Sequence, residues 1–157
     1  MDMKTINSLS LPYEQKIDET LVTSGQPGVE HLALLKENGF TGVLNISPES
    51  TRNYLPSEGE IVSSNGLDYI HFPIDCSVLS KEQYEEFRER LNSLRKDSGK
   101  VLVHCGMNIK SSGFVHIYRI LELNQDEDFA LSEFFKTPEH EPKWFPYFAS
   151  FGLKVQN

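Results

Sequence analysis

The segment 104–111 brings together residue types that can bind and attack an anion: a cysteine, a glycine, a lysine and a serine. It follows the apolar run 101–103 and precedes a long apolar pattern with helical spacing. In such a strand-loop-helix connection, backbone N–H groups and the positive end of the helix dipole favour an anion. The sequence therefore predicts an anion-binding loop made of His104, Cys105, Gly106, Met107, Asn108, Ile109, Lys110 and Ser111.

Cys105 stands at the start of this anion-binding loop, where the positive field favours the thiolate, the nucleophilic form of cysteine. Lys110 adds a full positive charge to the same space. Ser111 or Ser112 could donate a hydrogen bond to Cys105 and help the thiolate leave in a later step, and His104 could orient the loop through a backbone contact. We predict that Cys105 is a nucleophile directed at phosphate.

The composition fits one ordinary globular domain spanning residues 1–157, with 38% hydrophobic and 24% charged residues. The formal net charge of −8 argues against a non-specific nucleic-acid surface, which needs clustered lysine and arginine. No apolar run approaches the roughly 20 residues that span a bilayer. No signal-peptide pattern stands at the N-terminus. We expect a cytoplasmic protein with no nucleic-acid or membrane partner.

Metal and cofactor binding are not expected from the spacing of the cysteines and histidines. The chain has two cysteines and five histidines, with no Cys-x-x-Cys or His-x-x-x-His pair. Two cysteines in a chain of 157 residues also make a disulfide scaffold improbable.

Alternating strand and helix patterns predict the elements that position the anion-binding loop. Strands are predicted at 21–24, 40–46, 67–74 and 100–103, and helices at 29–38, 56–66, 81–96, 110–123, 126–135 and 143–151. Ser80 and Gln83 form a predicted capping box for the helix 81–96, which 97–99 should end. Residues 1–20 are interpreted as an arm packed on the domain. This order predicts an α/β sandwich around a mainly parallel sheet of about four to five strands flanked by helices.

Several segments resemble the cysteine-dependent protein tyrosine phosphatase superfamily, most closely its bacterial beta-lactamase-hydrolase-like phosphatases. The similar segments are 103–105 with 110–112 in the anion-binding loop, 23–27, 42–45, 69–75, 112–114 and 118–119. They cover most of the chain, and the loop is the most specific of them. The resemblance implies the three-layer sandwich of that family.

The resemblance also implies roles for residues outside the anion-binding loop. Cys105 matches the nucleophile, and Asp75 matches the general acid, whose contribution is about 10²–10⁴-fold in rate. The alternative for Asp75 is a surface turn residue or a neighbour of a helix cap. Gln26 and Arg52 are further candidates for the pocket. Arg52 could supply a guanidinium group from across it, and its alternative is a solvated loop residue.

Lys110 departs from the family pattern, in which arginine follows the cysteine by five residues in this subgroup and by six in most relatives. Position 111 is serine, so neither register holds an arginine. Arginine binds phosphate with a planar fork of donors, whereas lysine is a point charge. Losing one charge-assisted hydrogen bond costs about 1.5–3 kcal/mol, or on the order of 10- to 100-fold in rate or affinity.

Three hypotheses follow for the function. The first is a phosphatase that hydrolyses phosphomonoesters through a phosphocysteine on Cys105, with a protein or a small molecule as the phosphorylated substrate. The second is a catalytically weak or inactive module that binds phosphate or a phosphoprotein. The third is a rhodanese-like sulfurtransferase, which also uses a cysteine in a short loop of backbone N–H groups. The sequence predicts neither the substrate nor the oligomeric state.

Overall fold

Five strands form the central sheet of the computed structural model, which describes residues 9–96, 99–137 and 141–155. They are β1 (Gln15–Asp18), β2 (Leu21–Ser24), β3 (Phe40–Asn45), β4 (Asp68–His71) and β5 (Lys100–His104). Their order across the sheet is β1-β2-β5-β3-β4, with β1 antiparallel to β2 and the other pairs parallel. The prediction of a mainly parallel sheet is confirmed.

Helices cover both faces of this sheet. They are α1 (Val29–Leu34), α2 (Glu58–Ser64), α3 (Lys81–Arg95), α4 (Ile109–Leu121), α5 (Glu127–Phe134) and α6 (Trp144–Ser150), with a 3-10 turn at Lys36–Asn38. Each lies within a predicted helical segment or differs from it by one residue. Gly39, with φ of +89°, ends the first helical segment where the sequence predicted its stop. The sequence predicted that residues 97–99 end α3; of these, 97 and 98 lie outside the described residues.

Alternating strand residues contribute to two separate hydrophobic cores. In β5, Val101 and Val103 join the core beneath α3, α4, α5 and α6, whereas Leu102 joins the core beneath α1 and α2. This alternation is the two-residue period of a strand that is buried on both faces. The result is the predicted three-layer sandwich.

The helix α4 lies at the centre of the larger core. Every residue from Ser111 to Arg119 is buried, which explains why its sequence is apolar nearly all round. A Cβ atom added at Gly113 would lie 2.5 Å from the ring of Trp144, so the glycine allows α6 to approach α4 closely. Trp144 and Phe148 are fully buried, so these aromatic residues of α6 pack in the core.

Two strand predictions need correction. Residues 15–18 were expected in an arm but form β1, an edge strand whose short polar sequence has no clear apolar alternation; residues 1–8 of that arm lie outside the described residues. The strand predicted over 67–74 ends at His71. Pro73 has no N–H group to donate. Beyond His71, the Phe72 N–H still donates to the oxygen of Asn45, and the Ile74 N–H donates to the oxygen of Ile46.

The strand register aligns the carboxyl ends of three neighbouring strands. Ser24 of β2 pairs with His104 of β5, and His104 pairs with Asn45 of β3. The loops that leave these residues therefore begin at one edge of the sheet, where ligands bind in open α/β folds. The candidate site lies at this edge.

Candidate active site

The anion-binding loop, residues 104–111, includes the last residue of β5 and the first turn of α4. Its four residues 105–108 connect β5, which ends at His104, to α4, which begins at Ile109. Asn108 turns the chain into the helix in a left-handed conformation, with φ of +63°. Its side-chain amide donates to the backbone oxygen of Tyr13 at 2.8 Å and to the hydroxyl of Thr23 at 3.0 Å. These bonds fix the loop against the strand β2 and the turn before β1.

An isolated antiparallel bridge between Gly25 and Met107 engages part of the loop backbone. Outside this bridge, the backbone N–H groups from Gly106 to Ser111 have no acceptor among the described loop residues. Most of these amides are thus left for an external acceptor, at the N-terminus of a helix of 13 residues. Lys110 is partly exposed and forms no hydrogen bond or ion pair within the described part of the chain. The loop therefore combines unpaired backbone donors with one unpaired positive charge.

Cys105 lies at the base of the anion-binding loop, 2% exposed, with its backbone N–H donating to the oxygen of Ser24 at 3.3 Å. The two candidate hydroxyl donors differ. Ser112 Oγ donates to the backbone oxygen of Ile109 at 2.9 Å. Ser111 Oγ is buried and has no hydrogen-bond partner among the described residues. Ser111 is therefore the hydroxyl that remains available for a thiolate or an anion.

A buried polar network supports the loop from below. His104 Nε2 lies 2.5 Å from one carboxylate oxygen of Glu58, and Gln26 Nε2 donates to the other at 2.5 Å. His104 Nδ1 lies 3.2 Å from the oxygen of Cys105, the backbone contact that the sequence predicted. The imidazole of His104 therefore connects the Glu58 carboxylate to the backbone of the anion-binding loop.

Glu58 is a site residue that the sequence reasoning missed. It is 1% exposed although it belongs to the first turn of α2, where an acidic residue ordinarily faces solvent and interacts with the helix dipole. Its partner His104 is 46 positions away, so no local pattern could indicate the pair. Gln26, predicted as a pocket residue, contacts Glu58 and helps to hold the base of the site.

The carbonyl group of Gly106 is held by two donors, the N–H of Gln26 at 3.0 Å and the side-chain amide of Asn53 at 3.1 Å. A Cβ atom at Gly25 would lie 2.7 Å from that same oxygen, so glycine is required for this close approach. Met107 is 39% exposed at the rim. Arg52, next to Asn53, is exposed and forms no hydrogen bond or ion pair with another described residue.

Asp75 is exposed and lies close enough to Lys110 for the two charges to interact. A hydrogen bond from the Ser77 N–H at 2.9 Å lowers the pKa of Asp75 below its usual value, and the positive charges of Lys110 and Lys143 lower it further. This environment favours the carboxylate at neutral pH. A role as proton donor therefore requires acidic conditions or a bound anion that offsets the lysines.

Cys76, the residue after Asp75, is a free cysteine with 3% exposure. Burial raises the pKa of its thiol to about 11, against a smaller lowering by Lys110 and Lys143. At neutral pH Cys76 therefore stays a thiol, which is a poor nucleophile. The two cysteines of the chain thus lie in different settings, and only Cys105 adjoins the unpaired amides.

Two general features of the described residues limit the chemistry. No three His, Cys, Asp or Glu side chains in the described ranges are grouped so that they could hold a metal ion. No helix there is both long and apolar enough to cross a bilayer.

Comparison with known proteins gives a consistent fold assignment. No protein-family model matches the chain. A beta-lactamase hydrolase-like protein of Agrobacterium fabrum is 24% identical over 93 residues, which are 57% of this chain and 21% of that protein. The chain therefore matches about a fifth of the length of this relative.

Solved structures match over nearly the whole chain. A "Putative phosphatase (DUF442)" of Shewanella putrefaciens superposes with a TM-score of 0.78 and 25% identity, over 95% of this chain and 93% of that one. P. aeruginosa TpbA has a TM-score of 0.70 at 18% identity over 92% and 86% of the two chains, and has also been solved with phosphotyrosine. The PP-IP phosphatase SIW14 of S. cerevisiae has a TM-score of 0.72 at 15% identity over 91% and 87%.

These structures share the overall fold described above. The chain has the fold of the cysteine-dependent protein tyrosine phosphatase superfamily and resembles its bacterial DUF442 and beta-lactamase-hydrolase-like proteins.

Proposed function

We propose that this protein hydrolyses phosphomonoesters through a phosphocysteine intermediate on Cys105. The observation that carries the proposal is the set of backbone N–H groups between Gly106 and Ser111 left without an acceptor outside the Gly25–Met107 bridge, directly after a cysteine. Lys110, which forms no ion pair with another described residue, lies in the same loop. Such a loop can bind three phosphoryl oxygens and stabilise the charge that develops on them. The phosphatase fold of its structural neighbours supports the same reaction class.

In the first step, the Cys105 thiolate attacks phosphorus and the bond to the leaving oxygen breaks. Protonated Asp75 transfers its proton to that oxygen, and an alcohol or phenol departs. In the second step, water attacks the phosphocysteine, the resulting carboxylate of Asp75 accepts a proton, and the Cys105 thiolate leaves with inorganic phosphate as the product. Ser111 Oγ, which is buried without a partner among the described residues, would donate a hydrogen bond to this thiolate.

The substrate class is a phosphate monoester. TpbA has been solved with phosphotyrosine, and SIW14 is a PP-IP phosphatase, so the neighbours include binders of a phosphoamino acid and of a small-molecule phosphate. Both share a dianionic phosphoryl group. We propose that the anion-binding loop recognises this group and leaves the rest of the substrate to the surrounding loops.

A second candidate function is phosphate binding without turnover. Two observations favour it: Lys110 cannot form the bidentate contact of an arginine, and the low pKa of Asp75 leaves little of the acid form at neutral pH. Both functions use the same site, and they differ in whether Cys105 becomes phosphorylated. Trapping of the phosphocysteine therefore distinguishes them.

The test is hydrolysis of p-nitrophenyl phosphate combined with trapping of the acid-quenched protein for mass spectrometry. We expect slow turnover, inhibition by vanadate and a phosphate adduct on Cys105, all abolished in Cys105→Ser. The matched variant Cys76→Ala should still form the adduct, because the Cys76 thiol stays protonated. Phosphate binding by calorimetry without adduct or turnover would instead establish the binding function, and cyanide-dependent transfer of sulfur from thiosulfate would support a sulfurtransferase.

A further inference from the structure

The acid loop, residues 75–80, connects the end of the sheet to α3 and carries Asp75. Much of it is exposed: Val78 is 73% exposed, and Asp75 and Ser77 are exposed as well. The side-chain amide of Gln83 donates to the backbone oxygen of Asp75 at 2.9 Å. Cys76 and Leu79 are the loop residues that pack in or against the larger core. An exposed backbone is mobile unless it is held from outside.

Two side chains from the other end of the chain hold this backbone. Lys143 Nζ donates to the backbone oxygen of Cys76 at 2.6 Å, and the hydroxyl of Tyr147 donates to the backbone oxygen of Ser80 at 2.5 Å. Both partners lie 67 positions away in the sequence. The bonds span the acid loop from its second residue to its last.

The donors themselves are fixed to the helix that begins at the anion-binding loop. Trp144, next to Lys143, is fully buried and packs on Gly113 of α4 and on the ring of Phe114. Tyr147 also contacts the ring of Phe114, with ring centroids 6.0 Å apart. The segment 143–147 therefore links the acid loop to the same helix whose N-terminus carries Lys110.

We propose that Lys143 and Tyr147 are positioning residues that clamp the backbone of the acid loop and thereby hold Asp75 beside the anion-binding loop. The inference rests on the proposed function, since it takes Asp75 as the proton donor. The two residues differ in what they add. Tyr147 contributes a hydrogen bond alone, whereas Lys143 contributes a hydrogen bond and a positive charge.

The charge of Lys143 acts on the proton affinity of Asp75. Lys110 from α4 and Lys143 ahead of α6 are the two lysines that lower the pKa of this carboxyl, after the larger effect of the Ser77 N–H. Gln83 of α3, which also contacts the loop, is uncharged. A purely structural tether to a carbonyl oxygen would not require a charge, so removal of Lys143 should change the pH dependence as well as the rate.

The first variant is Tyr147→Phe, which removes one hydroxyl and keeps the ring in the core. One hydrogen bond corresponds to about 2- to 10-fold. We expect kcat for an alkyl phosphate, whose leaving group needs a proton, to fall by this factor with KM unchanged. The effect on p-nitrophenyl phosphate should be smaller, because its leaving group departs without protonation. The pH at which kcat declines should not move.

The second variant is Lys143→Met, which keeps the length of the side chain and removes its charge and its donor. The maximal kcat for the alkyl phosphate should fall similarly. Removing a nearby cation raises the pKa of Asp75, so the acid form persists to higher pH, and the decline of kcat should move upward. Lys154→Met is the matched control. Among the described residues, the Lys154 ammonium contacts only the exposed Asp128, and its backbone N–H donates to the Glu127 carboxylate. We expect this variant to have the wild-type kcat and the wild-type pH profile.

A readout independent of turnover is amide hydrogen exchange in the acid loop. We expect faster exchange in the N–H groups of 76–80 in both variants, with the sheet unchanged. Wild-type exchange together with wild-type pH profiles would overturn the clamp, even if the variants were less stable. If wild-type protein hydrolyses no phosphate ester, the proposed function fails, and the exchange data still decide whether the clamp exists.

Discussion

In the proposed mechanism, the catalytic strength of the site depends on Lys110. The family resemblance of the sequence places it at the position of an arginine, and it makes no bond to another described residue. A lysine supplies charge without the planar fork that binds two phosphoryl oxygens. The anion-binding loop is thus complete in its backbone donors and reduced in its side-chain donors.

We predict that Lys110→Arg raises kcat/KM for p-nitrophenyl phosphate. One additional charge-assisted hydrogen bond is worth about 1.5–3 kcal/mol, or on the order of 10- to 100-fold. Because Lys110 forms no hydrogen bond or ion pair with another described residue, the substitution breaks no such bond. Steady-state kinetics at one pH measure the effect, with Lys154→Arg as the control that should leave kcat/KM unchanged. An unchanged or lower kcat/KM in Lys110→Arg would mean that the loop is shaped for lysine.

The residues that could be inferred from the sequence are those whose function follows from a short segment. The anion-binding loop and the Ser80–Gln83 capping box, which the structure contains, are local patterns of this kind. Glu58 and Lys143 could not be found in the same way. Their partners are 46 and 67 positions distant, and the tertiary fold alone brings them together.

At the scale of elements, α2 supports the anion-binding loop through a single buried carboxylate. Glu58 in its first turn contacts His104 at the end of β5 and Gln26 after β2. Three elements therefore meet at one ionisable pair beneath Cys105. Removing one member of such a buried pair leaves an uncompensated partner.

We predict that Glu58→Ala lowers the free energy of unfolding by about 3–5 kcal/mol, because His104 loses its buried carboxylate partner. Glu60→Ala is the matched control: Glu60 lies in the same helix turn, is exposed, and has no partner in the described ranges. It should change stability by less than about 0.5 kcal/mol. Urea unfolding of both variants measures the difference, and equal effects would show that the pair contributes nothing specific.

The contact between α4 and α6 depends on a missing side chain. A Cβ atom at Gly113 would lie 2.5–2.6 Å from three atoms of the Trp144 ring. Alanine favours a helix over glycine by about 1 kcal/mol, whereas overpacking costs about 1–3 kcal/mol. The clash is with a fully buried ring that has no free space to enter, so overpacking should prevail.

We predict that Gly113→Ala destabilises the protein despite its helix propensity. In a Trp144→Phe background the side chain has one ring instead of the two fused rings of indole. Gly113→Ala should then become neutral or stabilising. A double-mutant cycle by urea unfolding measures this coupling, which should exceed about 0.5 kcal/mol. Additive effects of the two substitutions would place the clash elsewhere.

The same distinction between local and distant signals applies to the elements. Helices and central strands carry strong periodicity, and the structure contains them near their predicted bounds. The strand β1 was missed because Gln15–Asp18 is short and has no clear apolar alternation. It is a strand only because β2 offers it a free edge, with Gln15 paired to Thr23 and Lys16 to Val22. Sequence patterns cannot report such partner-dependent pairing.

At the scale of the whole molecule, a buried histidine of α4 makes the stability of the larger core depend on pH. His116 of α4 is 1% exposed and lies between the rings of Phe134 and Phe148, with centroids 5.6 and 4.3 Å away. Burial lowers the pKa of His116 from 6.5 to about 4, against a smaller opposing effect of the Ala130 backbone. The native fold therefore holds this histidine neutral.

Stability should consequently fall as the pH decreases from about 6.5 to about 4. In that window the unfolded chain binds a proton at His116 and the folded chain does not, so acidification favours unfolding. A shift from 6.5 to about 4 corresponds to about 3 kcal/mol over the full window, at 1.36 kcal/mol per unit. Urea unfolding at pH 7 and at pH 4.5 measures the loss.

The variant His116→Leu separates this effect from the titration of surface carboxylates. It removes the ionisable ring, so we predict that its stability falls by about 2–3 kcal/mol less than that of wild type between the two pH values. Phe148→Leu removes the facing ring without a titrating group. It should lower stability by a similar amount at both pH values. Parallel pH dependence in wild type and His116→Leu would mean that protonation of another group causes the loss of stability at low pH. It would also mean that the aromatic packing around α4 tolerates a charged imidazole.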